Sequence, residues 1–362
     1  MTLEDYYEID FLKIEAKKSG DAICVRYRMN DLTWIHVVDG GYQQTGDTVV
    51  AHIRKHYDNP QLIDHVVATH QDGDHAGGLI KVLEEFKVGT LWMLRPWEYV
   101  DELLSRFSRF TTIDGLRKAL RESYPNLVAL EEIAERKGVD IAEPFQGRSF
   151  GYFTVMGPTK QRYLDLVVSS EKTPDAVKAA AQIVADAAGY VTEAVEKILK
   201  KVGWGVEFFP LGGTSNENEM SVTQFALLDN HKILLTADTG RDGLQEIIDF
   251  APSVGLALPG LTRFQCPHHG GRHNVNSELL DQILGPKLTA KPTSFKFSAI
   301  VSAADADPDH PRKSVTRALW HRGAQVITTE DGGKRYSQGP APDRGWSTAN
   351  AVPYPEEQED WD

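Results

Sequence analysis

Four side chains able to grip a metal ion fall within six residues of this chain, His70-x-Asp72-x-Asp74-His75. The segment follows the β-branched run Ile63-Asp64-His65-Val66-Val67-Ala68-Thr69 and precedes a stretch in which Leu79, Val82, Leu83 and Phe86 recur at helical spacing. A strand-to-helix turn ends the backbone ladder and points several side chains into one cleft. Gly73, Gly77 and Gly78 permit the tight path. Adjacent Asp74 and His75 cannot easily serve the same ion as His70 and Asp72, so the spacing suggests two ions. The competing reading is an acidic Asp/Gly turn with incidental histidines.

Ligand-type residues recur at later strand ends. Asp238 follows the apolar run 232–236 and precedes another helix. A carboxylate there can bridge two ions, although a lone Asp in that place is usually a helix N-cap. His268-His269 follow a third short strand, 262–266, and are followed by Gly270-Gly271. His310, in Asp309-His310-Pro311, follows a fourth.

Around these points the pattern predicts strands at 7–14, 21–27 and 33–38, a helix at 46–57 and mostly polar helices over 96–145. A strand at 151–156 ends at Gly157-Pro158. Further strands are expected at 221–228, 232–236, 262–266 and 297–302, then a helix at 312–322 and a strand pair at 324–328 and 334–337. Val177, Ala181, Val184, Ala188, Val191, Val195, Ile198 and Val202 form a heptad seam on a long helix at 174–202. That helix either packs on its own domain or docks a partner, a second copy of the chain included. Residues 338–362 are rich in Pro and acidic residues and read as a flexible tail. Strands grouped at both ends with helices between them suggest stacked sheets covered by helices.

Composition narrows the function. Of 362 residues, 39 are Lys or Arg and 52 Asp or Glu, a net charge of -13. That argues against a broad basic surface for nucleic acid, but not against an enzyme that meets phosphates through metal ions. Two cysteines, Cys24 and Cys266, exclude a disulfide framework and a Cys-based zinc cluster, and a reducing cytoplasm is the default. No run reaches 18 apolar residues, and the acidic start, Met1-Thr2-Leu3-Glu4-Asp5, lacks the apolar region of a secretory signal.

Taken together, these motifs resemble the metallo-β-lactamase superfamily. Within it the chain looks most like the hydrolase domain at the end of the bacterial competence DNA-uptake channel protein and its soluble relatives. Phe11-Leu12-Lys13 with Gly20-Asp21-Ala22-Ile23 is similar to that branch's first strand and "GDA" turn, and Val38-Asp39-Gly40-Gly41 to its "IDxG" strand end. Residues 69–78 resemble "THxHxDHxGG" with Asp72 in place of the second His. Residues 218–222 resemble "NxxSxV", 234–238 "LLTGD" with Ala237 for Gly, and 267–271 "PHHGS" with Gly271 for Ser. His310-Pro311 resembles a late "GHP", and 323–337 the final strand pair.

The resemblance implies an α+β fold, the αββα metallo-β-lactamase sandwich over residues 1–337, with helical insertions at about 96–145 and 165–205. It also implies a hydrolase with two divalent ions. His70, Asp72 and Asp238 are then assigned to metal one, and Asp74, His75, Asp238 and His269 to metal two. Asp74 is a catalytic candidate that orients the attacking hydroxide. His268 is the oxyanion contact or proton donor, with the choice between His268 and His269 as ligand left open. Asp39 orients a ligand, and His310 is a ligand, a substrate contact or only a loop residue. The remaining histidines, among them His36, His52, His65 and His321, read as structural.

Two departures stand out. No third-motif His lies near Gly157-Pro158, where Thr159 and Lys160 are poor ligands. The Asp72 exchange favours harder ions, so Mn and Zn lead and Mg and Fe remain open. The branch implies a phosphodiester substrate, most simply DNA, with Lys160, Arg162, Arg263 and Arg272 near motif ends as groove candidates. A small phosphodiester or cyclic nucleotide, a lactone or other ester, and a non-catalytic partner-binding role are the alternatives.

Overall fold

The computed structural model describes residues 4–173 and 203–358. Two seven-stranded sheets make up the frame, and each is antiparallel at one side and parallel at the other. In the first, β14 (Lys334–Gln338), β1 (Tyr6–Phe11), β2 (Ala22–Met29) and β3 (Leu32–Gly40) pair antiparallel. β4 (Leu62–Val67), β5 (Lys87–Trp92) and β6 (Asp140–Ala142) then continue from β3 in parallel. In the second, β7 (Ser149–Phe150), β8 (Phe153–Gly157), β9 (Thr223–Leu228) and β10 (His231–Leu235) are antiparallel. β11 (Arg263–Gln265), β12 (Phe297–Val301) and β13 (Ala324–Thr328) run parallel to β10.

The period-2 alternation of strand side chains divides the core in two. Ile233, Leu235, Ile300 and Ile327 face the first sheet and pack with Val25, Val37 and Val66 in one cluster. Their chain neighbours Leu234, Ala299, Val301 and Val326 face the other way. They pack against Leu244, Ile247, Leu280, Ile283 and Leu319, which come from helices α7 (Arg241–Phe250), α8 (Ser277–Leu284) and α9 (Lys313–His321). On the outside of the first sheet lie α1 (Thr45–His56), α2 (Leu79–Glu85) and α5 (Pro125–Lys137), with α3 (Val100–Leu103) and α4 (Ile113–Ser123) beside them. The layers are therefore helix, sheet, sheet, helix, the αββα sandwich. Parallel strands buried on both faces need crossover helices. That puts the carboxyl ends of β3, β4, β10, β11 and β12 along one edge, where crossover loops leave room for a site.

One expectation changes. Residues 338–358 are not a loose tail but a strap along the domain. Val352 N–H donates to Val326 O at 2.8 Å and Trp320 Nε1 to Val352 O at 3.0 Å. Arg344 is buried and reaches Asp10 at 2.7 Å and Glu8 at 2.6 Å. Composition signalled disorder, but aromatic and basic anchors bury enough surface to dock the segment. The heptad helix expected at 174–202 lies outside the described residues. The first insertion is helical, as α3 to α5, and α6 (Lys160–Ser169) opens the second.

Candidate metal centre

β4 is short because its apolar run gives way to polar residues at Thr69. From there the chain turns through residues 70–78 before α2 begins. Asp39, at the end of β3, organises that turn. Its carboxylate accepts Thr69 N–H at 2.9 Å, Thr69 Oγ1–H at 2.6 Å and His75 Nδ1–H at 2.8 Å. His75 is thereby fixed with Nε2 facing the crevice, the arrangement that raises a ligand's basicity. Backbone contacts lock the frame: Gly40 N–H donates to His75 O at 2.7 Å, Gly78 N–H to Gly41 O at 2.8 Å and Asp21 N–H to Asp74 O at 3.1 Å.

Asp238 lies at the middle of the site. Its Oδ2 is 3.3 Å from His75 Nε2, 3.7 Å from His268 Nε2 and 4.0 Å from His70 Nε2, and its Oδ1 is 3.6 Å from His269 Nε2. His269 Nε2 is also 4.0 Å from Asp74 Oδ2. Three sets have ligand atoms mutually within 4.8 Å: His70, His75 and Asp238; Asp74, His75 and His269; Asp21, Asp238 and His269. His70 Nε2, His75 Nε2, His269 Nε2, Asp238 Oδ1 and Asp21 Oδ1 are buried without a hydrogen-bond partner. Buried polar atoms left in that state are expensive unless something else satisfies them. Imidazoles and carboxylates converging this way fit divalent cations.

The charge state of the pocket agrees. Burial pushes Asp21 up to about 7, aided by the neighbouring Asp238, and burial likewise raises Asp74. Burial holds His269 down to about 3 and keeps His70 below its ordinary value, so both are neutral as ligands must be. Burial would also lower His75, but Asp238 and Asp39 outweigh it and leave the ring protonated. A cation bound at Nε2 would displace that proton.

The structure sorts the predicted residues. His70, Asp74, His75, Asp238 and His269 come together. Asp72 stands at the edge, 3.9 Å from His70 Nε2, with its other oxygen ion-paired to Lys172. His268 is outside the three sets. His310 bonds to Asp307 at 3.2 Å, and its ring lies 5.3 Å from that of His268 and 6.0 Å from that of His269. The residues near Gly157-Pro158 do not replace the missing third His: Thr159 caps α6, accepting from Arg162 N–H at 3.3 Å, and Lys160 pairs with Glu102 at 2.7 Å. Of the groove candidates, Arg162 is engaged by Glu219 and Glu246, and Arg263 lies over the Tyr336 ring at 4.8 Å. Arg272 alone lines a cavity beside the centre.

Lys172 and Asn274 had no signal in the sequence as site residues, and Asp21 was signalled only as part of the Gly20-Asp21-Ala22 turn. Asn274 explains the departure at Gly271. His268 Nδ1–H donates to Asn274 Oδ1 at 2.9 Å, while Asn274 Nδ2 donates to Asp238 O at 2.9 Å and Thr239 O at 3.2 Å. A Cβ on Gly271 would stand 2.8 Å from both Asn274 Oδ1 and His268 Nδ1. The chain holds His268 through Asn274 where the resembled motif has a serine. Asp39, Ala237, His268 and His269 all have positive φ, 55°, 47°, 47° and 53°. Such conformations gather at functional sites because the surrounding fold enforces them.

Comparison with known proteins fits this picture. The family model of the metallo-beta-lactamase superfamily matches residues 24–146. No curated protein matches the chain. Among solved structures, a Thermotoga maritima protein provisionally described as a metallo-beta-lactamase is 11% identical, with a TM-score of 0.32 over 69% of this chain and 92% of that one. Metallo-beta-lactamase SMB-1 is 10% identical, with a TM-score of 0.32 over 74% of this chain and 84% of that one. AidC, a dizinc quorum-quenching lactonase, is 9% identical, with a TM-score of 0.29 over 60% of this chain and 56% of that one. The chain has the metallo-β-lactamase fold. The match stops short of the competence-type branch. Among the described residues no helix is long and apolar enough to cross a membrane.

Proposed function

We propose that this chain is a divalent-metal-dependent hydrolase of phosphodiesters, with DNA as the simplest substrate. The observation that carries the metal reading is the convergence of buried, unpartnered donor atoms from His70, His75, His269 and Asp238 at one strand-end crevice. Two ions are proposed, Mn or Zn. His70, Asp72 and Asp238 would hold one, and Asp74, His75, Asp238 and His269 the other. When bound, such ions lower the pKa of water towards about 7 and so make a nucleophile available at neutral pH.

The chain's own residues do the rest. Asp74 orients the attacking water by accepting its proton-bearing edge. Asp39 and Asn274 hold His75 and His268 in fixed tautomers. His268, at the mouth of the site, contacts the phosphoryl oxygen or hands a proton to the leaving oxygen. His310 is proposed as a substrate contact beyond the ligand set, since its ring faces His268. The resemblance of the motifs to the competence-type branch favours the phosphodiester over a lactone or other ester. Two buried free thiols, Cys24 and Cys266, suit the cytoplasm. A homodimer or a protein partner docked through 174–202 is proposed as the alternative to packing of that segment on its own domain, and light scattering of the purified chain tests the homodimer.

The test of activity incubates the protein with plasmid and single-stranded DNA plus Mn²⁺ or Zn²⁺, beside EDTA and Asp74→Ala controls. Expected is cleavage lost in both controls. Ion retention without cleavage of DNA or of bis(4-nitrophenyl) phosphate would overturn the phosphodiester reading and move lactones and esters forward.

A further inference from the structure

A cavity of about 330 Å³ opens directly beside the metal centre, lined by Thr214, His268, Arg272, His273, His310 and Arg312 among others. We propose that it is the subsite for a second phosphate of the substrate, one that flanks the scissile phosphodiester. The proposal rests on the phosphodiester reading above and adds to it the class of substrate: one carrying at least two phosphates.

Position is the first argument. His268 belongs to both places. Its Nε2 is 3.7 Å from Asp238 at the centre, while the ring forms one wall of the cavity. A group seated in the cavity is therefore one side chain away from the reacting atoms, the separation of neighbouring phosphates along a nucleotide chain.

Charge is the second. Two guanidiniums line the space, in a chain whose net charge of -13 would otherwise repel phosphate. Arg272 is only 9% exposed, so its field is not diluted by bulk water. The cations are close enough to matter to one another: burial, then Arg272, Arg241 and Arg312, hold His273 below its ordinary value. Asp307 and Asp309, which contact the lining residues His310 and Arg312, have further partners of their own. Asp307 accepts Ser19 N–H at 2.9 Å and Ser19 Oγ–H at 2.8 Å, and Lys18 pairs with both Asp307 and Asp309. Arg312 is ion-paired to Asp309 at 3.5 Å. At ordinary ionic strength a local cationic patch outweighs the distant negative surface, because screening acts over about 8–10 Å.

Chemistry and size are the third. Guanidinium forks match phosphate oxygens in a bidentate way, and the histidines and the Thr214 hydroxyl add donors for a third oxygen. A volume of about 330 Å³ sits at the lower end for ligand pockets, room for a phosphate and its sugar but not for a long duplex groove. Arg241 builds the wall rather than the lining: it donates to Pro210 O at 2.8 Å, Val275 O at 3.1 Å and Leu211 O at 3.1 Å. A larger cavity of about 620 Å³ elsewhere is lined by Asp165, Asp242, Glu246 and Asp249 beside Arg162, which suits no anion.

The test compares the thymidine dinucleotide TpT with pTpT and TpTp on the metal-loaded full chain. Expected is a kcat/KM at least tenfold higher for one phosphorylated form than for TpT, falling to within about threefold in Arg312→Gln and in Arg272→Gln, with Arg312→Lys recovering part of it. Wild-type protein that cleaves all three equally would overturn the subsite and leave the phosphodiester reading intact. If none is cleaved, the DNA and bis(4-nitrophenyl) phosphate assays decide that reading separately. The subsite is then judged by calorimetric binding of thymidine 3′,5′-bisphosphate: tenfold weaker binding in Arg312→Gln supports it, and equal binding overturns it. Unchanged circular dichroism of each variant guards against misfolding.

Discussion

A single amide side chain, Asn274, ties together three parts of the site. It accepts from His268 and donates to the backbone of Asp238 and Thr239, so it sets both the tautomer of one imidazole and the position of the central carboxylate. Partners of this kind typically change affinity or activity about 10–100-fold when removed. Asn274→Ala should lower kcat by about that factor with KM little changed, and Gly271→Ser should do the same, because its Cβ would intrude between His268 and Asn274. Steady-state kinetics at saturating metal, with metal content measured beside it, checks both; an unaltered kcat in Asn274→Ala would remove its positioning role. The tetrad itself was readable in the sequence because its spacing is local. Asn274 and Lys172 were not, because each meets the site only through long-range folding.

Among the elements, the contact between the end of β3 and the start of α2 decides whether the ligand loop can form. A Cβ on Gly78 would stand 1.9 Å from Gly40 O, with no flexible side chain able to give way. Gly78→Ala should destabilise the protein by more than the ~1–3 kcal/mol usual for overpacking. It should also lower metal affinity, because the shift is transmitted to His75 through its carbonyl bond with Gly40. Thermal unfolding with and without Zn²⁺ reads both effects. The insertions acquire a role at this scale too. Asn126, at the start of α5, donates to Gln71 O at 3.0 Å. The turn after α6, built on Ser170 with Lys172 N–H donating to Ser170 Oγ at 3.1 Å, brings Lys172 onto Asp72. Helical periodicity announced these helices but could not say that they close over the metal loop.

For the molecule as a whole, two buried charge networks fasten the segments around the second sheet and the strap. Glu207 is enclosed by His321 at 2.7 Å and Arg322 at 2.7 Å. Burial alone would raise Glu207; His321 and Arg322 bring it down to about 2 from an ordinary value near 4.5. A carboxylate depressed in the folded state stabilises fully above its unfolded value and loses that contribution as pH falls through the folded one. Glu207→Gln should thus be less stable by about 3 kcal/mol at pH 7, with the gap to wild type closing between pH 4.5 and 2. Urea midpoints from pH 7 downward test this, and a constant gap would refute it. In the strap, Arg344 compensates Glu8 and Asp10, both wholly buried. Arg344→Ala should lower stability by about 3–5 kcal/mol, the usual result of stripping one partner from a buried pair, and open residues after 338 to limited proteolysis.

The sequence by itself determined the motif-bearing strand ends, the β-then-helix order that builds two covered sheets, and a list of candidate ligands of which the fold brings His70, Asp74, His75, Asp238 and His269 together. These follow from local spacing and hydrophobic period, which act along the chain. Tertiary structure alone decided that the C-terminal segment is a strap, that Asn274 fills the place vacated at Gly271, and that Arg272 and Arg312 share a cavity with His268. Residues far apart in sequence meet there only because two sheets stack and align their carboxyl ends, and no periodicity encodes that meeting.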